Sequence, residues 1–257
     1  MIGRLLKSIA LALYPIAIVL AAWESACAAG LVKKVLLPAP SAILLRLWEL
    51  LQTQTFLEHV GQTMIRLAGG LAIATVLGVG LGLLAATSRT GARILEPLVR
   101  VIAPIPKIAL YPALILVLGF DHASKIALVA ADAIFPILLA TYHGAQSVDP
   151  RLVWSARAAG TSARACVFKI ILPASMPSIL TGFRIGMVIA SVVVFLAEMI
   201  SSADGLGHLL VRAARSFRTV DMFVPLVMIS ALGLAASSGL ALARRKLLQG
   251  FPEERGA

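Results

Sequence analysis

The chain has 257 residues, of which 60% are hydrophobic and 14% charged, and its mean hydropathy is +0.95. A water-soluble domain of this size covers itself with more charge, so most of the apolar surface must face lipid or other spanning helices. The net charge of +11 does not indicate nucleic-acid binding. The basic residues lie beside apolar runs, where they orient membrane spans, and not on one face of a soluble fold.

The N-terminal segment predicts a membrane span that is not cleaved. Arg4 and Lys7 precede an apolar stretch of roughly 20 residues, which is long enough to cross a bilayer and longer than the core of a signal peptide. Glu24 occupies the position three residues before Cys27, where a lipoprotein cleavage site would have leucine.

Six apolar runs have the length of a membrane span, so the predicted class is an all-α membrane protein. The third run contains Pro104, Pro106 and Pro112 and is predicted to be bent or broken. The predicted spans are residues 9–29, 63–87, 101–120, 123–143, 177–200 and 222–243.

The distribution of basic residues predicts the orientation. With the N-terminus inside, thirteen Lys and Arg residues fall on the cytoplasmic side and seven on the outer side, leaving aside Arg66, Lys107 and Arg184 at the borders of spans. This bias predicts that both termini and the 144–176 loop are cytoplasmic.

The segment between the first two spans, residues 30–62, has a different pattern. Leu44, Leu47, Trp48 and Leu51 recur at helical spacing, which predicts an amphipathic helix on the outer membrane surface. The predicted organisation is therefore residues 1–62 with the first span and this helix, a core of residues 63–248, and a cytoplasmic tail of residues 249–257.

The loop between the fourth and fifth spans is long, basic and patterned as two short helices. Asp149 and Pro150 are typical of a helix start, and Gly160 can adopt the left-handed conformation that ends a helix. Thr161 or Ser162 can cap a second helix, which Pro173 is expected to end. The first helix has a small face at residues 156–160, and the second has an apolar stripe at Val167, Ile170 and Ile171. Such a projection is suited to contact with a soluble protein.

The order of residues in this loop resembles the EAA loop of ATP-binding-cassette (ABC) importer permeases. Ala156, Gly160, Ile170, Leu172 and Pro173 match that pattern in register. Its first alanine is Ser155 here, and its glutamate, which normally helps to contact the ATPase, is Trp154. Segments elsewhere resemble the sulfonate, taurine and nitrate permease group: WESACAAG at 23–30, LLPAPSAILLRLWELL at 36–51, KIALYPALILVLGF at 107–120, VDPRL at 148–152 and LAEMISSADGLGHLL at 196–210.

The resemblance implies a type I ABC importer transmembrane-domain fold with six transmembrane helices and a cytoplasmic coupling loop at residues 149–173. It also implies a multi-pass permease of the bacterial inner membrane that moves a small polar or anionic solute into the cytoplasm by alternating access. The implied partners are a second copy of the chain, two cytoplasmic ATPase subunits and a periplasmic or lipid-anchored substrate-binding protein. The residues expected to contact the ATPase are Trp154, Ser155, Ala156, Arg157, Gly160, Thr161, Val167, Ile170, Leu172 and Pro173.

The sequence contains no G-x-x-x-x-G-K-[ST] motif, so this chain is not expected to bind ATP. ATP and Mg²⁺ would be bound by the partner ATPase. We expect no cofactor, metal or catalytic residue in this chain, which is predicted to be a transport subunit and not an enzyme.

Three charged residues inside the predicted spans are candidates for the translocation pathway or its gate, because such residues are costly in a membrane. Asp132 lies near the middle of its span, where it could line the pathway or pair with a base beside it, and a hydrogen bond to a neighbouring helix is the alternative. Glu198 lies near the outer end of its span, where a structural hydrogen bond is the alternative. Arg184 lies one to two turns from the cytoplasmic side and could extend to the interface.

Two other classes of protein are alternatives. An ATP-independent secondary transporter or channel would show an inverted repeat and broken spans in both halves, whereas the sequence shows one broken region and no repeat. An intramembrane enzyme would need a nucleophile with its base, or a metal cluster, within the spans. The histidines lie instead at loops and span ends (His59, His122, His143 and His208).

Overall fold

The computed structural model describes residues 2–33 and 35–248, with residues 2–13 described by their backbone alone. The side chains of Arg4, Lys7 and Lys34, which contribute to the predicted orientation, lie outside the described part, as does the predicted tail 249–257 with Arg255.

Within the described ranges the chain is helical and contains no strand. The helices are α1 (Ile2–Ala28), α2 (Pro40–Leu51), α3 (Gln54–Thr87), α4 (Arg89–Ile102), α5 (Tyr111–Leu118), α6 (His122–Gln146), α7 (Pro150–Ala158), α8 (Ala163–Cys166), α9 (Leu172–Ala174), α10 (Met176–Ile200), α11 (Leu206–Arg215) and α12 (Thr219–Leu247). A 3₁₀ turn at Lys107–Leu110 precedes α5, and a π-helical segment at Val167–Ile171 joins α8 to α9.

Four helices, α3, α6, α10 and α12, are long and apolar enough to cross a membrane. A fifth candidate is the pair formed by α4 and residues 107–118, which meet at an angle of 84°. α1 has 27 residues, and the apolar part with described side chains runs from Tyr14 to Ala28. The all-α membrane fold is confirmed, and the count reaches six only if the bent pair and α1 are each one span.

Two predicted spans begin later than the helices do. The second was predicted at residues 63–87, but α3 starts at Gln54. Its first turns are polar, so a hydropathy criterion leaves them out, although Phe56 there is 3% exposed and packs against the protein. The third was predicted at residues 101–120, but the broken pair starts at Arg89. α4 carries charged residues on one face and apolar residues on the others, so its average hydropathy is low although it packs against the bundle.

The prolines of the third run have two roles. Pro104 and Pro106 lie in the non-helical break between α4 and the 3₁₀ turn, which confirms that they interrupt the span. Pro112 lies in the first turn of α5, where the missing N–H has no helical partner to lose. Pro112 therefore helps to start a helix and does not bend one.

The centre of the molecule is formed by α3, α6 and α10. Gly70 lies against Val129 and Gly82 against Thr141, so α3 and α6 run parallel. Gly182 approaches the backbone of Pro136, and α10 runs antiparallel to both. We call the end of this bundle that carries residues 147–175 the loop end, and the other end the opposite end.

The amphipathic segment forms α2, as predicted. Leu44 and Trp48 of its predicted apolar face are 58% and 65% exposed and are free to face the membrane surface, whereas Ile43, on another side of the helix, is 2% exposed and packs against the protein. The rotation of α2 is fixed by an ion pair between Arg46 Nε and Asp221 Oδ1 of α12, at 2.7 Å. A long-range charge contact of this kind cannot be read from the periodicity of one helix.

Candidate docking loop and buried charge network

The first helix of the loop, α7, begins as predicted. Asp149 is its N-cap, and the carboxylate accepts a hydrogen bond from the backbone N–H of Arg151 at 2.9 Å. Pro150 occupies the first helical position, where its lack of an N–H costs nothing. The short α7 is therefore fixed at its start by local chemistry alone.

Gly160 ends this helix in the predicted left-handed conformation, with φ +84°. The N–H of Thr161 donates to the carbonyl of Ala156, and the N–H of Gly160 donates to that of Arg157, each at 3.0 Å. This pair of bonds is the Schellman motif, in which glycine is preferred because its φ carries no Cβ penalty. The turn between the two loop helices is thus sharply defined.

The second part of the loop begins as predicted and ends differently. Ser162, one of the two predicted caps, caps α8 by accepting from the N–H of Ala165 at 3.3 Å. Pro173 does not end the helical path, because the chain continues through α9 to Ala174. The π segment explains this: the N–H of Leu172 bonds the carbonyl of Val167, and the wider turn makes room for the proline ring.

The exposed apolar surface of the loop also differs from the prediction. Val167, Ile170 and Ile171 were expected to present an apolar stripe, but they are half-buried against the rest of the loop. Trp154 and Phe168 are 68% and 67% exposed instead. The exposed position of Phe168 was not predicted from the sequence, because the π turn changes which side chains point outward.

The remaining loop residues expected at the docking surface divide into two groups. Those on the outside are Ser155, Arg157, Gly160 and Pro173, and those that are half-buried are Ala156, Thr161 and Leu172.

At the opposite end, Glu198 of α10 lies in a buried network with α3. Its carboxylate is 2.7 Å from Nη1 of Arg66, and both side chains are almost fully buried. Thr63 donates its hydroxyl to the same carboxylate at 2.9 Å. Arg66 also forms an ion pair with Asp204, in the loop that follows α10. One guanidinium thus ties two helices and a loop together.

The backbone of residues 205–207 closes this network. The N–H of Gly207 donates to Glu198 at 3.1 Å, and that of Leu206 donates to Thr63 Oγ1 at 2.9 Å. Gly205 has φ +96°, and a Cβ there would lie 2.3 Å from the Glu198 carboxyl carbon. Only glycine fits a backbone pressed this closely against a buried carboxylate.

The partner of Glu198 was missed at the level of sequence, since Arg66 was set aside as a residue at the border of a span. The sequence nevertheless contains a signal for this ion pair. Arg66 is three residues into the predicted second span and Glu198 two residues from the end of the fifth, so both lie at the same depth. Opposite charges at equal depth in a membrane are expected to pair.

Asp132 of α6 is the second predicted pathway residue, and it has a basic partner. Its carboxylate lies 3.6 Å from Nζ of Lys107, in the 3₁₀ turn at the break. Lys107 also donates to the carbonyl of Ala103 at 2.6 Å and lies 4.3 Å above the ring of Phe135. The pair links the break in the span to the middle of α6.

Arg184, the third candidate, lies exposed on α10. It forms no ion pair with any side chain in the described part of the chain. The structure therefore brings Glu198 and Asp132 into separate charge pairs and leaves Arg184 apart from both.

A family model described as a binding-protein-dependent transport system inner membrane component matches residues 78–248. The chain belongs to this family. It is accordingly a permease subunit of the inner membrane and not an enzyme. The matched segment contains the whole loop of residues 149–173 and Glu198, whereas Thr63 and Arg66 lie before it.

Curated relatives are permeases of nearly the same length. The chain is 32% identical to the putative aliphatic sulfonates transport permease protein SsuC of Bacillus subtilis over 91% of this chain and 84% of the relative. It is 32% identical to the protein of the same name from Escherichia coli K12, covering 93% and 90%. It is 26% identical to the taurine transport system permease protein TauC of Escherichia coli K12, covering 94% and 90%.

Solved structures show the same fold. An inward-facing structure of the MetNI methionine ABC transporter superimposes with a TM-score of 0.65 and 18% identity, covering 74% of this chain and 95% of that one. A second inward-facing crystal form gives a TM-score of 0.67 and 17% identity. The permease thus has the fold of a type I ABC importer transmembrane domain, as predicted.

Proposed function

We propose that this permease is the membrane subunit of an ATP-driven importer that moves a small organic anion, of the sulfonate or taurine class, from periplasm to cytoplasm. The observation that carries this proposal is the capped, exposed loop of residues 149–173 at one end of the bundle. The sequence has no nucleotide-binding motif of its own, so the energy of ATP must reach the permease through contact with another chain.

Trp154 is the centre of the proposed contact. It lies exposed on α7, where the family pattern has glutamate, and Phe168 and Leu152 add exposed apolar surface to the same loop. A permease that docked through a carboxylate would rely on polar contacts. Here the ATPase groove is expected to bury an indole ring, and truncating a buried interface tryptophan commonly costs about 2 kcal/mol or more.

The loop is connected to the core in a way that transmits force. It joins α6 directly to α10, and Gly144 of α6 lies against Ser178 of α10 at its base. α10 is in turn tied to α3 by Arg66 and Glu198 at the opposite end. Movement of the loop on ATP binding would therefore tilt α6, α10 and α3 together, as alternating access requires.

The substrate class rests on the relatives and on the charge at Asp132. The relatives are described as permeases for aliphatic sulfonates and taurine. An isolated carboxylate in the pathway would repel such anions, but Lys107 lies beside Asp132 and compensates its charge. An anionic solute is thus compatible with the middle of the molecule.

The assembly follows from the same proposal. Two copies of the permease would present two loops to two ATPase subunits, and ATP with Mg²⁺ would be bound there. A periplasmic or lipid-anchored substrate-binding protein would deliver the solute to the opposite end. When the three arginines of α4, which lie on the broken span, are left out of the thirteen, ten basic residues remain on the loop side against seven on the other, and this excess supports an orientation with both termini in the cytoplasm.

Co-purification tests the docking loop. The tagged permease would be expressed with the ATPase of its gene cluster and solubilised, and the ATPase retained per permease would be measured. We expect one-to-one retention, a loss of roughly 30-fold in affinity for Trp154→Ala, and no loss for Trp48→Ala. Trp48 is a matched control because it is equally exposed but lies in α2.

A native permease that folds but retains no ATPase would overturn the proposal and favour an ATP-independent transporter. Equal retention by both tryptophan variants would show that the loop does not dock through residue 154.

A further inference from the structure

The charged residues of α4 form a single stripe. Arg89, Arg93, Glu96 and Arg100 follow one another at spacings of four, three and four residues. At about 100° per residue, these four positions fall within roughly 60° around the helix axis. One narrow face of α4 therefore carries all of its charge.

The other faces of α4 have different surroundings. Val99 is 8% exposed and packs against the bundle. Ile94, Leu98 and Val101 are 63%, 51% and 69% exposed and form an apolar face suited to lipid. The charged stripe adjoins the packed side and lies away from the centre of this apolar face, so lipid is not its natural environment.

The stripe runs into the bundle from the loop end. Glu96 accepts a hydrogen bond from Tyr142, about one turn inside the end of α6. Arg100 borders a cavity of about 390 Å³ that is also lined by Leu138 and Leu139, about two turns inside. Lys107 follows near the middle of α6. The charged residues thus continue along the broken span towards the middle of the bundle and are not confined to its loop end.

The arginines of the stripe have no carboxylate of their own. Glu96 accepts its hydrogen bond from Tyr142 and forms no ion pair with an arginine of the stripe, and Lys107 is paired with Asp132. With three arginines and one glutamate, the stripe keeps a net positive charge. Arg93 and Arg100 are exposed, and neither forms an ion pair within residues 14–33 and 35–248. Unpaired arginine inside a membrane is costly, so these two need water and an anion.

We infer that Arg93 and Arg100 line the aqueous pathway and bind the oxyanion group of the transported solute as it passes the loop half of the broken span. This inference rests on the proposed function and assigns residues to its substrate class. Guanidinium groups bind sulfonate and carboxylate through paired charge-assisted hydrogen bonds. A lipid phosphate presents the same oxyanion chemistry, and the experiment has to separate the two sources.

The test uses the complete transporter, with its ATPase and substrate-binding protein, in liposomes of phosphatidylcholine with or without phosphatidylglycerol. Uptake of radiolabelled taurine and ATP hydrolysis stimulated by the binding protein are measured together. We expect Arg93→Gln and Arg100→Gln each to lower the uptake rate about tenfold in both lipid mixtures. Stimulated ATP hydrolysis should change less than twofold, because the docking loop is intact. Arg100→Lys should retain part of the uptake.

Arg245→Gln is the matched control, since Arg245 is exposed at the same end but lies on α12. Wild-type uptake together with full uptake by both stripe variants would overturn the inference and leave the proposed function intact. A loss confined to phosphatidylglycerol liposomes would assign the arginines to lipid phosphate and also overturn it. Failure of the wild-type complex to transport any sulfonate would contradict the proposed substrate itself.

A second measurement does not depend on transport by the variants. Cys27 and Cys166 are buried and would be replaced by alanine, and a single cysteine would be placed at position 100. We expect a charged, water-soluble thiol reagent to label Arg100→Cys, and taurine to slow that labelling. No labelling of a folded protein would show that position 100 faces lipid or protein and would overturn the inference.

Discussion

Arg66 and Glu198 form an ion pair at 2.7 Å in the interior of the permease, although they are separated by 132 residues. The pair joins the start of α3 to the end of α10. Glu198 also accepts hydrogen bonds from Thr63 and Gly207, so several hydrogen-bond donors stabilise its buried charge. This pair ties α3 to α10 at the end of the bundle opposite the loop of residues 149–173.

Breaking this pair should destabilise the protein strongly. Replacing Arg66 by Met leaves a buried carboxylate without its cation, and the loss of one partner of a buried pair commonly costs about 3–5 kcal/mol. The double variant Arg66→Met, Glu198→Met removes both fully buried charges and leaves only the partly exposed Asp204 without its cation, so it should lose less stability than Arg66→Met alone. Unfolding temperatures in detergent for all four proteins measure this coupling. Additive losses would show that the pair is not energetically coupled.

Two glycines at the start of α11 should not tolerate a side chain. A Cβ at Gly207 would lie 2.3 Å from the carbonyl oxygen of Phe195, and one at Gly205 would meet Glu198. We expect Gly205→Ala and Gly207→Ala to lower the unfolding temperature by several degrees. Gly80→Ala is the control, because Gly80 lies in α3 with open space at its Cβ position, and alanine there should be neutral or stabilising by up to about 1 kcal/mol.

Replacing Phe217 by glycine should stabilise the folded protein. It has φ +53°, the only non-glycine residue with positive φ in the described ranges, and its side chain is 86% exposed. The left-handed conformation costs an L-residue roughly 1–2 kcal/mol, and there is no buried contact to offset it. Phe217→Gly is expected to raise the unfolding temperature slightly. A fall would indicate that the phenyl ring has a partner in the membrane or in the assembly.

Acidification should weaken the contact made by Asp204. Burial alone raises the pKa of this carboxyl, but the hydrogen bond and charge of Arg66 outweigh it, and the pKa lies below its usual value. The contact therefore contributes its full stability above the unfolded pKa of about 3.9, and this contribution is lost as the pH falls through the lower, folded value. Unfolding temperatures between pH 6 and pH 3 measure the effect.

Asp204→Asn supplies the comparison for the pH series. It removes the titrating group but keeps the size of the side chain, so its stability should fall less steeply between those two pH values. Parallel curves for the two proteins would contradict the assigned role of Asp204.

Local sequence chemistry determined much of this protein by itself. Apolar runs defined the all-α membrane class, because a bilayer requires about 20 apolar residues for each span. Asp149 with Pro150, and Gly160, set the start and end of α7 through capping bonds between near neighbours. The break at Pro104 and Pro106 followed from the missing N–H of proline.

Tertiary structure decided what depends on residues far apart in the chain. The face that α2 presents is set by Arg46 and Asp221, and the partner of Glu198 lies on another helix. The outward position of Phe168 depends on a π turn that accommodates Pro173, and periodicity at 3.6 residues cannot show it. Periodicity describes one helix at a time, whereas a buried charge is stable only where a second helix brings its counterion within a few ångströms.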